Sequence, residues 1–89
     1  MKTSIVIPTM NFGFTQKCVD SILAYTSTDD LEIIIVANGA GQELWDYANN
    51  LSNQGQPIRV LWYPEPLGPV PALNAGIKES KGEFILLLN

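Results

Sequence analysis

Four short segments carry the residues whose types and spacing could do chemistry: Pro8-Thr9-Met10-Asn11, Ala37-Asn38-Gly39-Ala40-Gly41, the run from Tyr63 to Gly68, and Asn89. Each follows an apolar stretch. Apart from Tyr63 and Glu65, their polar side chains are a hydroxyl and carboxamides, which donate and accept hydrogen bonds without titrating and so suit binding better than proton transfer. Lys2, Lys17, Arg59, Lys78 and Lys81 fall on strand starts, helix bodies or helix ends, so no cation is placed at these turns. A diphosphate there would need a metal ion or backbone amides, and the turns 11–14 and 40–43, each preceding a helix, are where amides would be offered. Glu43 and Glu65 are the carboxylates near these segments, and each reads more simply as a solvated loop residue than as a general base. Asp20, Asp29, Asp30, Glu32, Asp46, Glu79 and Glu83 map to helix faces or to the opposite side.

The elements that must position these turns alternate. Ser4 to Ile7 is a β-branched run closed by Pro8, the pattern of a buried strand. From Phe14, apolar residues recur at Cys18, Ile22 and Tyr25, with Val19 and Leu23 widening the stripe, which predicts an amphipathic helix with Cys18 in the core. Leu31 to Ala37 is a second strand, ended by a turn whose glycines can supply positive φ. A helix with Leu44, Ala48 and Leu51 on one face follows, then a third strand from Ile58 to Tyr63. Pro64 to Pro71 holds four of the six prolines and reads as a loop, with a helix over roughly 72–80, Gly82 as its stop, and a fourth strand from Phe84 to Leu88. Strands alternating with helices predict an α/β fold with right-handed crossovers and a parallel sheet covered on both faces. All turns that follow strands then share one edge, the edge where open sheets of this kind bind ligands.

Composition narrows the function. The 89 residues are 46% hydrophobic and 16% charged, enough for one core and one domain. A net charge of -4 argues against a nucleic-acid partner, which needs clustered Lys and Arg. Cys18 is the single cysteine and there is no histidine, so neither an internal disulfide nor a Cys/His zinc site can form, and a reducing, cytoplasmic setting is expected. The apolar run near the N-terminus is too short for a signal peptide or a membrane span. Membrane contact, at the cytoplasmic face, would come only through regions outside these residues.

Ser4-Ile5-Val6-Ile7-Pro8-Thr9-Met10-Asn11, Glu32-Ile33-Ile34-Ile35-Val36-Ala37-Asn38-Gly39-Ala40, and Leu73-Asn74-Ala75-Gly76-Ile77 through Gly82-Glu83-Phe84 together resemble the family 2 nucleotide-sugar-dependent glycosyltransferases. Ser21 to Thr26 resembles the end of that family's first helix, and the likeness spans nearly the whole chain. The resemblance implies a GT-A, Rossmann-like fold: three layers, a parallel sheet of about four strands in the order 3-2-1-4. It further implies that residues 1–89 are the N-terminal nucleotide-sugar-binding part of a glycosyltransferase domain, incomplete at its C-terminus. Leu86-Leu87-Leu88-Asn89 resembles the approach to an Asp-x-Asp motif, with Asn89 at its first position and the metal-binding acid beyond it. A divalent metal, Mn²⁺ or Mg²⁺, is therefore expected in a full-length protein and none is expected on this segment. The chain departs from the family pattern at Ala37, where an acid is common, at Met10, where an aromatic is common, and at Leu73, where some members have Arg.

The implied activity is transfer of a sugar from a nucleotide-sugar donor, expected to be UDP-linked, to an acceptor hydroxyl. Pro8, Thr9 and Asn11 would border the base and ribose, Asn38 and Gly39 the base edge, and Gly68, Asn74 and Gly76 the wall below the phosphates. Simpler readings stand beside these. Pro8-Thr9 could merely end a strand, Asn38 to Gly41 could be an ordinary strand-to-helix turn, and Asn74 and Gly76 could serve helix packing. Trp45, Trp62 and Tyr63 read as core or interface rather than sugar platforms. The rival function is a non-catalytic, Rossmann-like binding or assembly module. The segment alone is expected to be inactive as a transferase and to self-associate, as a dimer, through apolar surface at Phe84 to Leu88, Trp45 or Trp62.

Overall fold

A computed structural model of the chain describes residues 2–88. Its elements are β1 (Thr3–Thr9), α1 (Phe12–Tyr25), β2 (Leu31–Asn38), α2 (Gln42–Asn53), β3 (Ile58–Tyr63), α3 (Pro69–Glu79) and β4 (Phe84–Leu87). The strands form one parallel sheet in the order β3-β2-β1-β4. Helices cover both faces. α1 and α2 enclose Ile5, Ile7, Ile33, Ile35, Val19 and Leu44, while α3 lies on the face of Val6, Ile34 and Val36. The unbroken apolar run of β2 follows directly, because each of its two faces meets a helix layer.

Several boundaries differ from the sequence expectation. Pro8 does not end β1: the strand continues to Thr9, with Pro8 opposite Val36. The Leu88 amide donates to the Val6 carbonyl, so even-numbered residues of β1 turn their main chain towards β4. Pro8 faces that side past the β4 pairing, where its missing N–H removes no ladder bond. α1 begins at Phe12 because Asn11 caps it, its Oδ1 accepting from the Phe14 amide at 2.8 Å. Phe14 and Tyr25, expected in the apolar stripe, are exposed. The buried face instead centres on Thr15 and Val19, flanked by half-buried Phe12, Cys18, Ile22 and Leu23. At 100° per residue, Phe14 and Tyr25 stand roughly 120–140° round the helix from Val19.

α3 starts at Pro69 rather than near Ala72. Proline suits a first turn, whose N–H groups have no partner within the helix. Gly76, in its middle, lies against the sheet so closely that a Cβ there would overlap Val6 Cγ1 and stand 3.0 Å from Val36 Cγ2. Gly82 is not the helix stop, which is Ser80 in an extended conformation. It is instead a point of close approach, where a Cβ would come within 2.7 Å of the Ser4 main-chain nitrogen. β4 departs from the expectation of a sheet covered on both faces: Phe84, Ile85, Leu86 and Leu87 are all exposed.

The edge of the sheet away from the candidate turns is tied by one carboxylate. Glu32 Oε2 accepts from the Ser4 hydroxyl at 2.6 Å and from the Lys81 amide at 2.8 Å, and Oε1 accepts from Arg59 Nη2 at 3.0 Å. Arg59 also donates to the Glu79 carbonyl at 2.7 Å, and Gly82 donates to Ser4 Oγ at 2.8 Å, so β1, β2, β3 and the end of α3 meet there. Burial pushes the Glu32 carboxyl up, but the bonds from Ser4, Lys81 and Arg59, with the guanidinium charge, outweigh it and hold the group below its ordinary value. A lowered folded pKa means stability that is present above the ordinary value of 4.5 and is lost as pH falls through the folded one. Glu32→Gln should cost about 1–3 kcal/mol near neutral pH, read from urea denaturation. The gap to the wild type should close on acidification below 4.5, and a gap independent of pH would show that the ionised carboxylate is not its source.

Candidate functional site: a cavity at the carboxyl edge of β1 and β2

At the other edge, the ends of β1 and β2, the β3–α3 loop and the first turn of α3 border an open cavity of about 530 Å³. Pro8, Thr9 and Met10 line it from β1, Asn38 from β2, Leu67 from the loop, and Pro69, Val70, Ala72 and Leu73 from α3. The lining is mainly apolar and carries no charged side chain, which suits a flat neutral ring more than an anion. Met10 and Val70 stand exposed at its rim, where a flexible thioether and a branched side chain can pack on a ring face.

Of the residues singled out by sequence, the structure gathers Pro8, Thr9 and Asn38 here and assigns the others local work. Asn11 is the α1 cap, and its amide donates to Thr9 Oγ1 at 3.1 Å. Thr15 Oγ1 donates to the Asn11 carbonyl at 2.7 Å and lies 3.0 Å from Thr9 Oγ1, so the end of β1 is bound to the start of α1. Asn38 holds the loop: its Oδ1 accepts from the Leu67 amide at 2.6 Å and its Nδ2 donates to the Leu67 carbonyl at 2.9 Å. Gly39 has φ of +76° and lies beneath Pro66, whose Cβ would be 3.0 Å from an added Cβ. Its amide donates to the Tyr63 carbonyl at 2.8 Å. Gly68 is the cap position of α3, Asn74 is exposed on that helix, and Gly76 is packed on Val6 and Val36, none of them in the cavity lining. Asn89 lies outside the described residues.

Ala37, where the family pattern commonly has an acid, does not line the cavity. Strand alternation turns its side chain to the opposite face, where it is fully buried in the core beneath α1 and α2. Leu67, Pro69, Val70 and Ala72 were not singled out by sequence. Their signal is the Pro66-Leu67-Gly68-Pro69 spacing, which starts a helix three residues earlier than apolar periodicity does. Trp62 supports the same edge from the other face, donating from Nε1 to the Ala40 carbonyl at 2.9 Å and packing on Trp45 with ring centroids 5.6 Å apart.

Charge and amide donors are sparse around the cavity. Pro69 and Pro71 remove two N–H groups from the first turn of α3, and that turn has no side-chain cap. The first turn of α2 carries Glu43, whose charge opposes an anion, and the α1 turn already donates its Phe14 amide to Asn11. Among the described residues, no three His, Cys, Asp or Glu side chains come together as a metal site. The described residues therefore do not by themselves fit a divalent ion.

The profile of the family described as Glycosyl transferase family 2 matches residues 4–89. The chain belongs to that family. Among similar proteins, the glycosyltransferase GlyG of Streptococcus pneumoniae is 32% identical over 97% of this chain and 29% of its own length. The glycosyltransferase EpsJ of Bacillus subtilis is 34% identical over 92% of this chain and 24% of its own. The chain thus spans about a quarter of the length of these relatives. Solved structures share the fold: S. aureus TarS in complex with UDP has a TM-score of 0.83 at 21% identity, covering 99% of this chain and 27% of that one. The mannosyltransferase PcManGT of Pyrobaculum calidifontis, in complex with GDP-Man and Mn²⁺, has a TM-score of 0.79 at 18% identity over 94% of this chain and 26% of its own.

The turn at Gly39 gives a direct test of how this family 2 cavity is held. An L-residue at φ +76° costs about 1–2 kcal/mol, to which displacement of Pro66 adds. Gly39→Ala should therefore destabilise the fold in urea denaturation by at least that amount. A neutral result would show that the β3–α3 loop does not press on this turn.

Proposed function

We propose that this chain binds the nucleoside part of a nucleotide-sugar donor, within a glycosyltransferase that moves the sugar to an acceptor hydroxyl. The observation that carries the reading is the uncharged, mainly apolar cavity at the carboxyl edge of β1 and β2. Pro8 and Met10 would pack on a base from the β1 end, and Leu67, Val70 and Leu73 would close on it from the α3 side. Thr9 and the main chain at the strand ends would meet the ribose and the base edge. Membership of a transferase family supports this reading over a non-catalytic assembly module.

Uridine is the nucleoside proposed, with the UDP complex of a protein of the same fold as its support. TarS, of the same fold, is solved with UDP, whereas PcManGT is solved with GDP-Man and Mn²⁺. The diphosphate would extend past the cavity, since the lining offers it no cation. A divalent metal, Mn²⁺ or Mg²⁺, is proposed to meet it. The exposed apolar side chains of β4 support the further proposal that the chain self-associates along that strand.

Calorimetric titration of uridine, UDP and GDP, each with and without Mn²⁺, tests the reading. Uridine and UDP should bind with a shared contribution from the nucleoside that persists without metal, and UDP should exceed GDP. Absence of nucleoside binding under every condition would overturn it. Sedimentation should show a dimer whose population falls on Leu86→Lys, and a monomer at high concentration would contradict the β4 proposal.

A further inference from the structure

We propose that Asn38 is the positioning residue of the nucleoside site: it fixes the β3–α3 loop through Leu67 and so shapes the cavity, instead of reading the base edge. The inference rests on the nucleoside reading above and deepens it. A carboxamide has two N–H donors and two acceptor lone pairs, and Asn38 commits one of each to the main chain of Leu67, 29 positions away, at 2.9 and 2.6 Å. It thereby imitates a strand partner for a loop that has none. Pro64 and Pro66 have no N–H to offer. Among the described residues, the hydrogen bonds joining residues 64–67 to the sheet are these two to Asn38.

The loop matters because its position decides whether a cavity exists. Leu67 is one wall, and Pro69 and Val70 follow within three residues on the same stretch of chain. Pro66 rests on Gly39, the neighbour of Asn38, so the end of β2 meets the loop by side-chain bonds at one residue and by contact at the next. If the loop is released, the competent cavity is only a fraction of the population, and apparent affinity falls by that fraction whatever the base. A base-reading residue would instead weaken one base and spare another.

The test uses the full chain with Asn38→Asp and Asn38→Ala. Asp retains an acceptor for the Leu67 amide but sets a carboxylate oxygen against the Leu67 carbonyl, and Ala removes both bonds. Hydrogen exchange at the Leu67 amide and calorimetric affinities for UDP and GDP are measured for each, with thermal melts to establish that the milder Asp variant remains folded. Expected are faster exchange at Leu67 and affinities about tenfold weaker for both nucleotides, with their ratio preserved. A changed UDP/GDP ratio would overturn the proposal by showing that Asn38 reads the base. Unchanged affinity with a freed Leu67 amide, or an unchanged Leu67 amide, would overturn it as well. A wild-type chain that binds neither nucleotide would remove the nucleoside reading itself, and this inference with it.

Discussion

The close seat of α3 on the sheet is the constraint from which the rest of the site follows. Gly76 has no room for a Cβ between Val6 and Val36, and Ala72, one turn earlier on the same face, is buried to 1% exposure. This small-residue face lets the helix axis approach the ends of β1 and β2 closely. The first turn of the same helix then lies beside Pro8, Thr9 and Asn38 and closes the cavity. A larger residue at either position would lift the helix, and the cavity would widen into an open shelf. Gly76 therefore acts on the site without lining it.

Two further ties keep the sheet from shearing beneath that helix, and they divide the labour between its edges. At the amino edge, the Glu32 carboxylate gathers Ser4, Lys81 and Arg59, so charge is used for architecture. At the carboxyl edge, neutral groups do the holding: Asn11 and Thr9 bind the start of α1, and Asn38 binds the loop after β3. The result is a cavity without a charged wall. A bound phosphate group would find no cationic partner in it, whereas a base finds apolar faces and a few fixed dipoles.

Much of this was legible in the sequence, and the exceptions have physical causes. The helix layers and the edge that carries the cavity follow from the alternation of apolar runs with helical periodicity, and the strand order from the family resemblance alone. The direction of Ala37 was hidden because β2 is apolar on both faces, so its alternation leaves no trace in residue type. Phe14 and Tyr25 misled because an exposed aromatic weighs as much as a buried one in a periodicity count. Gly76 was legible as a packing residue of its helix, but the role of Gly82 was beyond local reasoning, since it is set by contact with a strand 78 positions away. Asn38 lay between the two cases: its place at the turn was evident, but its partner, Leu67, is distant in sequence and carries no polar side chain to announce it.

The central claim, that the cavity between β1, β2 and α3 receives a nucleoside, is tested most directly by mapping where the ligand acts. In a ¹⁵N-labelled chain titrated with UDP, the amides of Thr9, Met10, Asn38, Leu67 and Val70 should shift together along one binding curve, while those of Glu32 and Lys81 at the far edge stay still. Shifts confined to Phe84–Leu87 or to the Glu32 edge, with the cavity amides unmoved, would contradict the account.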